Sequence, residues 1–380
     1  MKKKNKCLII IIIIIIIILA VLLIAGIIII NKTNIFRKTA TKLPKTDGIT
    51  IVPTMSDTIT SDSSWCGTFQ LVWNDMRDNV VKKDIIFDPQ EKMAENLNKK
   101  DFTEDMISEE YYFKTYGIKS LELKEQIENG IKEKFNQESD ILEDFGWSEN
   151  ELDDPNNNDE RRYFFYAMLY RKFEFLKEFD KLENGDFGNK YKDVKYFGID
   201  ENTKETVGSQ IKVLYYNSKD DFAIIVNTKS DDEVIFCKSP QGKTFNEIYD
   251  NMNKESENYT GSSEFKDVDE FKAPNLTFNE KREYTELQDK EFETADTVYD
   301  KGIIEKAIQT IKFSLDEKGG EIKSESGIDI RVMATSIEEN EEKDKPRYFY
   351  VDDTFAIFLR EKGKALPYFA GRVEDITKFQ

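Results

Sequence analysis

The residue types that usually carry enzyme chemistry are sparse in this chain, and histidine is absent altogether. Its absence removes every Ser-His-Asp or Cys-His nucleophilic site and the common histidine-ligated zinc sites. Carboxylates, lysines and tyrosines remain. The 74 Asp and Glu residues supply many chance carboxylate pairs but none at a recognisable spacing, and there is no glycine-rich phosphate loop. We therefore expect a protein that is not an enzyme and that binds neither a cofactor nor a metal.

Two smaller features of the sequence are a pair of cysteines, which could form a disulfide, and an acidic segment, which could bind an ion. Cys66 and Cys237 are the only cysteines after residue 30, and outside a cell they could either pair or stay free. Residues 153–159, of sequence DDPNNND, superficially resemble a calcium loop. They lack the central glycine and the closing glutamate of such loops, so the sequence favours an ordinary acidic loop.

Residues 320–334 alternate with a period of two. The even positions are small or apolar: Gly320, Ile322, Ser324, Ser326, Ile328, Ile330, Val332 and Ala334. The odd positions are mainly charged: Glu321, Lys323, Glu325, Gly327, Asp329, Arg331 and Met333. This pattern is typical of a strand with one buried face. It fits an ordinary strand already in a sheet, and it fits equally a segment that can enter one.

The N-terminus has the features of a membrane anchor. Leu8 to Ile30 is a run of 23 apolar residues, long enough to cross a hydrocarbon core of about 30 Å. Four lysines precede the run and no acid does, which favours a cytoplasmic N-terminus. We predict a cytoplasmic tail over residues 1–7, a transmembrane helix over 8–30, a stalk over 31–63 and an extracellular domain over 64–380. A cleaved signal peptide is the alternative.

The charge balance after this segment is strongly acidic. The first 38 residues hold seven Lys or Arg and no acid, so residues 39–380 carry 48 basic and 74 acidic residues, a net charge of −26. An acidic domain repels nucleic acid and anionic lipid surfaces, so we expect no nucleic-acid partner. The solvated acidic surface of a soluble domain is sufficient explanation for this charge.

The order of predicted elements favours an α+β fold. Residues 101–145 predict two or three helices, because their apolar residues recur at helical spacing. After residue 160 the pattern changes to short strands, beginning with the aromatic and apolar run Arg162–Leu169 and ending with a hairpin over residues 347–373. Helices followed by strands are typical of the α+β class.

The C-terminal half resembles the serpin family. The final hairpin, Phe355–Arg360 (FAIFLR) followed by Gly363 and Tyr368–Val373 (YFAGRV), is similar to the aromatic strand, glycine turn and Gly-Arg-Val strand with which serpins end. Ala273–Phe278 (APNLTF) resembles a second serpin strand, and Ile308–Gly319 resembles the strand that enters the serpin reactive loop. The resemblance covers residues 160–380 and implies serpin-like helices around a large central sheet.

The resemblance also assigns functional residues. It implies a reactive-loop hinge at Glu317, Lys318, Gly319 and Gly320, and counting from Glu317 places the scissile bond at Met333–Ala334. In inhibitory serpins an exposed loop is cut by a protease and then enters the central sheet, so the stretch after Gly319 is expected to be held outside that sheet. The implied partner is a serine or cysteine protease, and the other partner is a lipid bilayer at residues 8–30.

Two functions from different classes follow from these observations. The first is a membrane-tethered inhibitor that traps a protease through its loop. The second is a non-inhibitory serpin-fold binding or structural module at the cell surface. Ile322 weighs against fast insertion, because it must enter an inward position that in the family usually holds a small residue. The charged odd positions are expected to face solvent and to cost little.

Overall fold

The computed structural model describes residues 45–157, 159–200, 207–324 and 345–380. These residues belong to one unit, Pro44–Gln380. The predicted cytoplasmic tail and transmembrane helix, residues 1–30, lie outside the described residues and stay predictions. In the part of the chain that is described, no helix is long and apolar enough to cross a bilayer.

The predicted stalk extends too far towards the C-terminus. Residues 45–63 belong to the folded unit, where Thr50–Ile51 pairs in parallel with the start of Ser63–Cys66. Four apolar side chains of this stretch are buried in the main core: Ile49, Ile51, Val52 and Met55. The stretch has no regular apolar period because it crosses the core in short irregular segments. The stalk prediction therefore now concerns only residues 31–44.

Four α-helices lie in the described residues: α1 (Thr68–Asp75), α2 (Lys92–Asn98), α3 (Leu121–Phe135) and α4 (Phe245–Asn258). A π-helical turn, Met76–Val81, follows α1. Short 3₁₀ turns occur at Glu104–Met106, Glu109–Tyr111, Leu142–Phe145, Glu149–Glu151, Gly208–Gln210, Thr285–Leu287 and Ile376–Phe379. The start of α3 is fixed by Ser120, whose hydroxyl accepts a hydrogen bond from the Leu123 N–H.

The strands of the described residues are, in chain order, β1 (Thr50–Ile51), β2 (Ser63–Cys66), β3 (Tyr112–Ile118), β4 (Tyr163–Glu174), β5 (Asp180–Lys181), β6 (Gly185–Phe187), β7 (Tyr191–Val194), β8 (Tyr196–Gly198), β9 (Ile211–Ser218), β10 (Asp221–Asn227), β11 (Asp232–Lys238), β12 (Glu270–Pro274), β13 (Leu276–Glu283), β14 (Glu291–Glu293), β15 (Lys301–Ile303), β16 (Ile308–Asp316), β17 (Gly319–Ser324), β18 (Tyr348–Tyr350), β19 (Phe355–Glu361) and β20 (Phe369–Val373).

These strands form three main sheets. The five-stranded sheet has the order β13-β16-β17-β4-β3, and the seven-stranded sheet has the order β1-β2-β20-β19-β11-β10-β9. The four-stranded sheet has the order β18-β12-β8-β5, and β6-β7 and β14-β15 are separate hairpins. The architecture is α+β, as the sequence predicts.

The main core lies between the five-stranded and seven-stranded sheets. Phe313 of β16 stacks on Phe369 of β20 with ring centroids 4.8 Å apart, and Phe278 of β13 contacts the same ring at 6.3 Å. A separate apolar cluster fills the space between α3 and the other face of the five-stranded sheet. Its buried members include Leu123, Ile127, Ile131, Phe164, Tyr166 and Met168. The five-stranded sheet is thus covered on both faces where α3 crosses it.

The prediction of two or three helices in residues 101–145 is only partly right. α3 is there, but Tyr112–Ile118 is a strand that pairs along its full length with β4. Its aromatic and β-branched residues favour extended structure, and the neighbouring strand supplies the hydrogen bonds. The predicted strand at Arg162–Leu169 is confirmed and extends to Glu174 as β4.

Cys66 and Cys237 are both free and buried. They lie on β2 and β11, which are separated in the sheet by β20 and β19. Strands spaced about 4.8 Å apart put β2 and β11 roughly 14 Å apart. A disulfide requires Cα atoms closer than about 7 Å, so the two cysteines cannot pair in this fold.

Both thiols should be unreactive in the folded protein. Burial raises the pKa of Cys66 to about 11 and that of Cys237 to about 12. The thiolate is the reactive form, so at pH 8 we expect both thiols to resist iodoacetamide until the protein is unfolded in urea. Mass spectrometry of tryptic peptides measures this. A Cys7→Ser background removes the remaining cysteine, and rapid labelling of Cys66 or Cys237 without urea would contradict the burial described here.

Candidate functional site

The four predicted hinge residues form a turn and the start of a strand. Glu317 and Lys318 connect β16 to β17, and Gly319 and Gly320 begin β17. The turn is held from the neighbouring segment. The Phe175 N–H donates to the Lys318 carbonyl and the Phe179 N–H donates to the Glu317 carbonyl, both at 2.9 Å. The Glu317 side chain is buried, and its carboxylate lies 3.3 Å from the ammonium of Lys181.

The two glycines are required by the space that β17 occupies. Gly319 has a φ of +145°, and a Cβ atom there would lie 2.2 Å from the carbonyl oxygen of Phe173. A Cβ on Gly320 would lie 2.6 Å from both the Phe173 ring and the carbonyl oxygen of Ser314. These oxygens belong to the backbones of the two flanking strands and cannot move aside. Only glycine therefore lets the chain enter between the strands at this point.

The expectation that the stretch after Gly319 is held outside the sheet is wrong for Gly319–Ser324. β17 pairs antiparallel with β16 from Asp316↔Gly319 to Ile311↔Ser324. It also pairs antiparallel with β4 from Gly319↔Glu174 to Ser324↔Leu169. The alternating pattern seen in the sequence is thus that of a paired central strand over its first five residues, Gly320–Ser324, because both edges of β17 have backbone partners.

The inward face of β17 fits its surroundings closely. Ile322 is fully buried in the main core, so the expected misfit of this side chain does not occur. Ser324 forms a 2.8 Å hydrogen bond with the Thr68 hydroxyl at the start of α1. The Gln309 amide donates to the same Thr68 hydroxyl and to the Cys66 carbonyl, both at 3.0 Å, and its oxygen accepts from Tyr284 at 2.6 Å. A buried polar network thus supports the end of β17.

A buried ion cluster lies beside Ile322 and links the two main sheets. Arg171 of β4 is the direct partner of Ile322 in β17. Its guanidinium contacts the carboxylates of Asp232 on β11 at 2.7 Å and of Glu361 on β19 at 2.8 Å. Burial alone would lower the pKa of Arg171. Tyr368 and the two carboxylates raise that pKa by more, so the guanidinium stays charged. Such a cluster fixes the register between sheets rather than adding much stability.

The outward face of β17 is covered, contrary to the expectation that its charges face solvent. Lys323 is only 9% exposed. Its ammonium lies 2.8 Å from the Asp140 carboxylate and donates to the Glu138 carbonyl at 2.6 Å, both in the segment that follows α3. Asp140 also lies 2.6 Å from the ammonium of Lys312 on β16. The Asp140 carboxylate thus links β16 and β17 to the segment that follows α3.

Sequence reasoning did not identify Arg171, Asp140, Gln309 or Thr68. Arg171 carried a usable signal, because it is a single charge at an inward position of an otherwise apolar strand. The other three are polar residues whose role depends on contacts made across more than a hundred residues of chain. The predicted scissile bond, Met333–Ala334, lies outside the described residues and stays a prediction. In the described ranges, no group of three or more Cys, Asp or Glu residues is placed to hold a metal ion.

Among known proteins, the chain is similar to solved structures but not to any family model or curated sequence. The solved structures it matches are serpins, the family that the sequence resembles. A serpin polymer linked through its loop and C-sheet has a TM-score of 0.46 at 12% identity, covering 85% of this chain and 92% of that one.

Other serpins match at similar levels. Tengpin, a thermophilic serpin in the latent state, has a TM-score of 0.44 at 12% identity, over 83% of this chain and 93% of that one. Serpin48 of the insect Tenebrio molitor has a TM-score of 0.41 at 15% identity, over 83% and 92%. Cleaved serpin 42Da has a TM-score of 0.40 at 13% identity, and this chain covers 64% of that one. These values are low, so the function must be argued from the residues of this chain.

Gly320→Ala should destabilise the fold by about 1–3 kcal/mol, because its Cβ would collide with the backbone of β16 and with Phe173. Gly117→Ala on β3 is the matched control, since its Cβ would meet Leu123 at an ordinary 3.7 Å. We expect the control to change stability by less than about 1 kcal/mol. Urea unfolding measures both. Equal stability of the two variants would show that β17 does not require glycine at its start.

Asp140→Asn should destabilise the protein by about 1–2 kcal/mol at pH 7. Burial raises the pKa of Asp140, but Lys323 and Lys312 lower it more, so the folded value lies below the ordinary one. The stabilisation that the Asp140 carboxylate provides is therefore present above pH ~4. It is lost as the pH falls through the pKa of Asp140 in the folded protein. Urea unfolding from pH 7 to pH 2.5 measures this, and the difference between variant and parent should shrink at acid pH.

The matched control for that experiment is Asp186→Asn. Asp186 also pairs with a lysine, Lys192, at 2.5 Å, but both side chains are more than half exposed. Exposed pairs contribute less than about 1 kcal/mol. If Asp140→Asn behaves like this control at every pH, Asp140 does not hold the two strands together.

Proposed function

We propose that this chain is a serpin-like protease inhibitor that offers residues 325–346 as bait to a serine or cysteine protease. In this proposal residues 8–30 anchor the protein in the cell membrane and the folded part lies outside the cell. The lysines before residue 8 support that orientation. The bond Met333–Ala334 is the proposed cleavage site, and a protease with an apolar primary pocket is the proposed target.

The observation that carries the proposal is the position of β17, a central strand that leads directly into the proposed bait. Ser324 is the last residue of β17 that the structure describes. β4 reaches back to Tyr163 and β16 back to Ile308, so both neighbours extend past Ser324 along the line of β17. A cut loop that continued β17 would pair with these two strands. Because Gly319–Ser324 is already paired, the insertion that we propose concerns the residues that follow it.

Continuing the register of β17 predicts how the cut loop would fit. Ile328 would lie opposite Phe165 and Ile330 opposite Tyr163, on the face that already holds Ile322. Both aromatic residues are partly or well exposed at present, with Tyr163 at 41%. Covering them with isoleucine removes apolar surface from water, which drives insertion.

The opposite face favours a second candidate function, a non-inhibitory binding module. In the same register Glu325 would lie opposite Met168 and Asp329 opposite Phe164. Both of these partners belong to the buried cluster under α3. A carboxylate placed there without a partner costs several kcal/mol, so α3 must move before insertion proceeds. Slow insertion gives a protease time to finish hydrolysis, and the chain is then clipped without trapping the enzyme.

Incubation with an elastase-like serine protease tests the two candidates. We expect cleavage at Met333–Ala334, an adduct with the protease that survives SDS, and a higher melting temperature of the cleaved chain. Met333→Asp should reduce adduct formation at least about tenfold, because an apolar pocket rejects a carboxylate. The matched control, Glu338→Gln, changes the same loop five residues later and should react like the parent.

The measurements are SDS gel electrophoresis, mass spectrometry of the released fragment and thermal unfolding before and after cleavage. A clipped chain without adduct and without a gain in melting temperature would reject inhibition and leave the binding module. Cleavage that is unaffected by Met333→Asp would reject the proposed site.

A further inference from the structure

The first described residues form a strap along one edge of the five-stranded sheet. This strap, residues 45–49, runs beside the edge strand β13. The Thr46 N–H donates to the Asn279 carbonyl at 2.8 Å, and the Asn279 N–H donates to the Thr46 hydroxyl at 3.1 Å. At its end Ile49 enters the main core. The strap therefore covers backbone groups of β13 that would otherwise be free to pair with another molecule.

A buried glutamate of β13 lies beneath the strap. Leu276, Phe278 and Glu280 occupy successive inward positions of this strand, and all three are buried. The first two are apolar and pack in the main core. The Glu280 carboxylate accepts a hydrogen bond from the Lys281 N–H at 3.2 Å through Oε1, but Oε2 has no hydrogen-bond partner in the described part of the chain. A buried carboxylate oxygen without a partner is costly when the group is charged.

The charged groups around the Glu280 carboxylate do not neutralise it. From the strap, Lys45 and Asp47 act on it with opposite sign. They are also paired with each other at 2.8 Å, and both side chains are mostly exposed. On the side of β16, the direct neighbour of Glu280 is the apolar Ile311. The other cations nearby already have carboxylate partners: Lys281 with Asp144, Arg282 with Glu286, and Lys378, which also donates to the Gly48 carbonyl, with Asp62.

The folded structure favours the neutral form of Glu280. Burial raises the pKa of Glu280 above its ordinary value, and Asp47 raises that pKa further. The N–H groups of Lys281 and Ile49 and the ammonium of Lys45 lower it, but by less. A carboxyl group whose pKa is raised by folding stabilises the closed structure most at low pH. That contribution is lost as the pH rises through the pKa of Glu280 in the folded protein.

We propose that Glu280 is a proton-controlled latch for the strap. When its carboxyl group is neutral, the strap closes over β13. When the group is charged, the strap opens and lets water reach the carboxylate. Opening exposes the edge of β13 and adds the five strap residues, up to about 17 Å, to the connection between the folded unit and the residues that precede it. The latch does not involve the loop after Ser324, so it stands or falls independently of protease inhibition.

Hydrogen–deuterium exchange of the full chain in mild detergent tests the latch. The Thr46 amide reports closure of the strap, because it is bonded to the Asn279 carbonyl. After correction for intrinsic exchange rates, protection of the strap in the parent should be about tenfold higher at pH 4.5 than at pH 7.5, because the unpartnered charge is then removed. Glu280→Gln should show the higher protection at both pH values. Peptides from β16 serve as the internal reference for unfolding of the whole domain.

Two further variants separate charge from other effects. Glu280→Met removes the charge without supplying an amide and should behave like Glu280→Gln. Glu283→Gln is the matched control, an exposed glutamate on the same strand, and should keep the pH dependence of the parent. Trypsin cleavage after Lys45 at pH 7.5 gives an independent measurement and should be slower in both Glu280 variants. Equal strap protection of the parent at the two pH values overturns the proposal, as does a pH dependence or a cleavage rate that the Glu280 variants leave unchanged.

Discussion

The arrangement around β17 depends on one steric constraint. The start of β17 lies so close to the backbones of β4 and β16 that no Cβ atom fits there. Gly319 and Gly320 meet that constraint, and six residues then gain hydrogen-bond partners on both sides. A central strand satisfies all of its backbone groups, whereas a peptide held outside the sheet leaves them to water. The contacts of Ile322, Lys323 and Ser324 exist only because this entry is possible.

The two faces of β17 are stabilised by different physical means. On the inner face, Ile322 packs in an apolar core and Ser324 joins a network with Thr68 and Gln309. On the outer face, Lys323 is neutralised by Asp140. Apolar burial is not directional, while the polar network and the ion pair each require one geometry. Burial of Ile322 therefore stabilises the strand without specifying a geometry, whereas the polar contacts form only in this register.

The sequence predicted local structure better than long-range contacts. The α+β class, strand β4, the final hairpin and the alternation that begins at Gly320 follow from periodicity and turn residues. Strand β3 and residues 45–63 differ from the prediction because both depend on distant partners. β3 pairs with β4 more than forty residues away, and residues 45–63 also bond to Asn279 and Arg372. A distant partner also explains why the ammonium of Lys323 is buried. Its alternation pattern indicated a polar face, but only the position of the segment after α3 determines that this face is shielded from water.

Asp140 contacts Lys312 and Lys323 on two adjacent strands, and it belongs to the segment directly after α3. Displacing α3 would therefore break the same ionic contacts that separating β16 from β17 would break. By thermodynamic reciprocity, any molecule that binds more tightly when the helix is displaced must also favour parted strands, and by the same factor. A distant contact on the outer surface of α3 can in this way alter how firmly Gly319–Ser324 is retained.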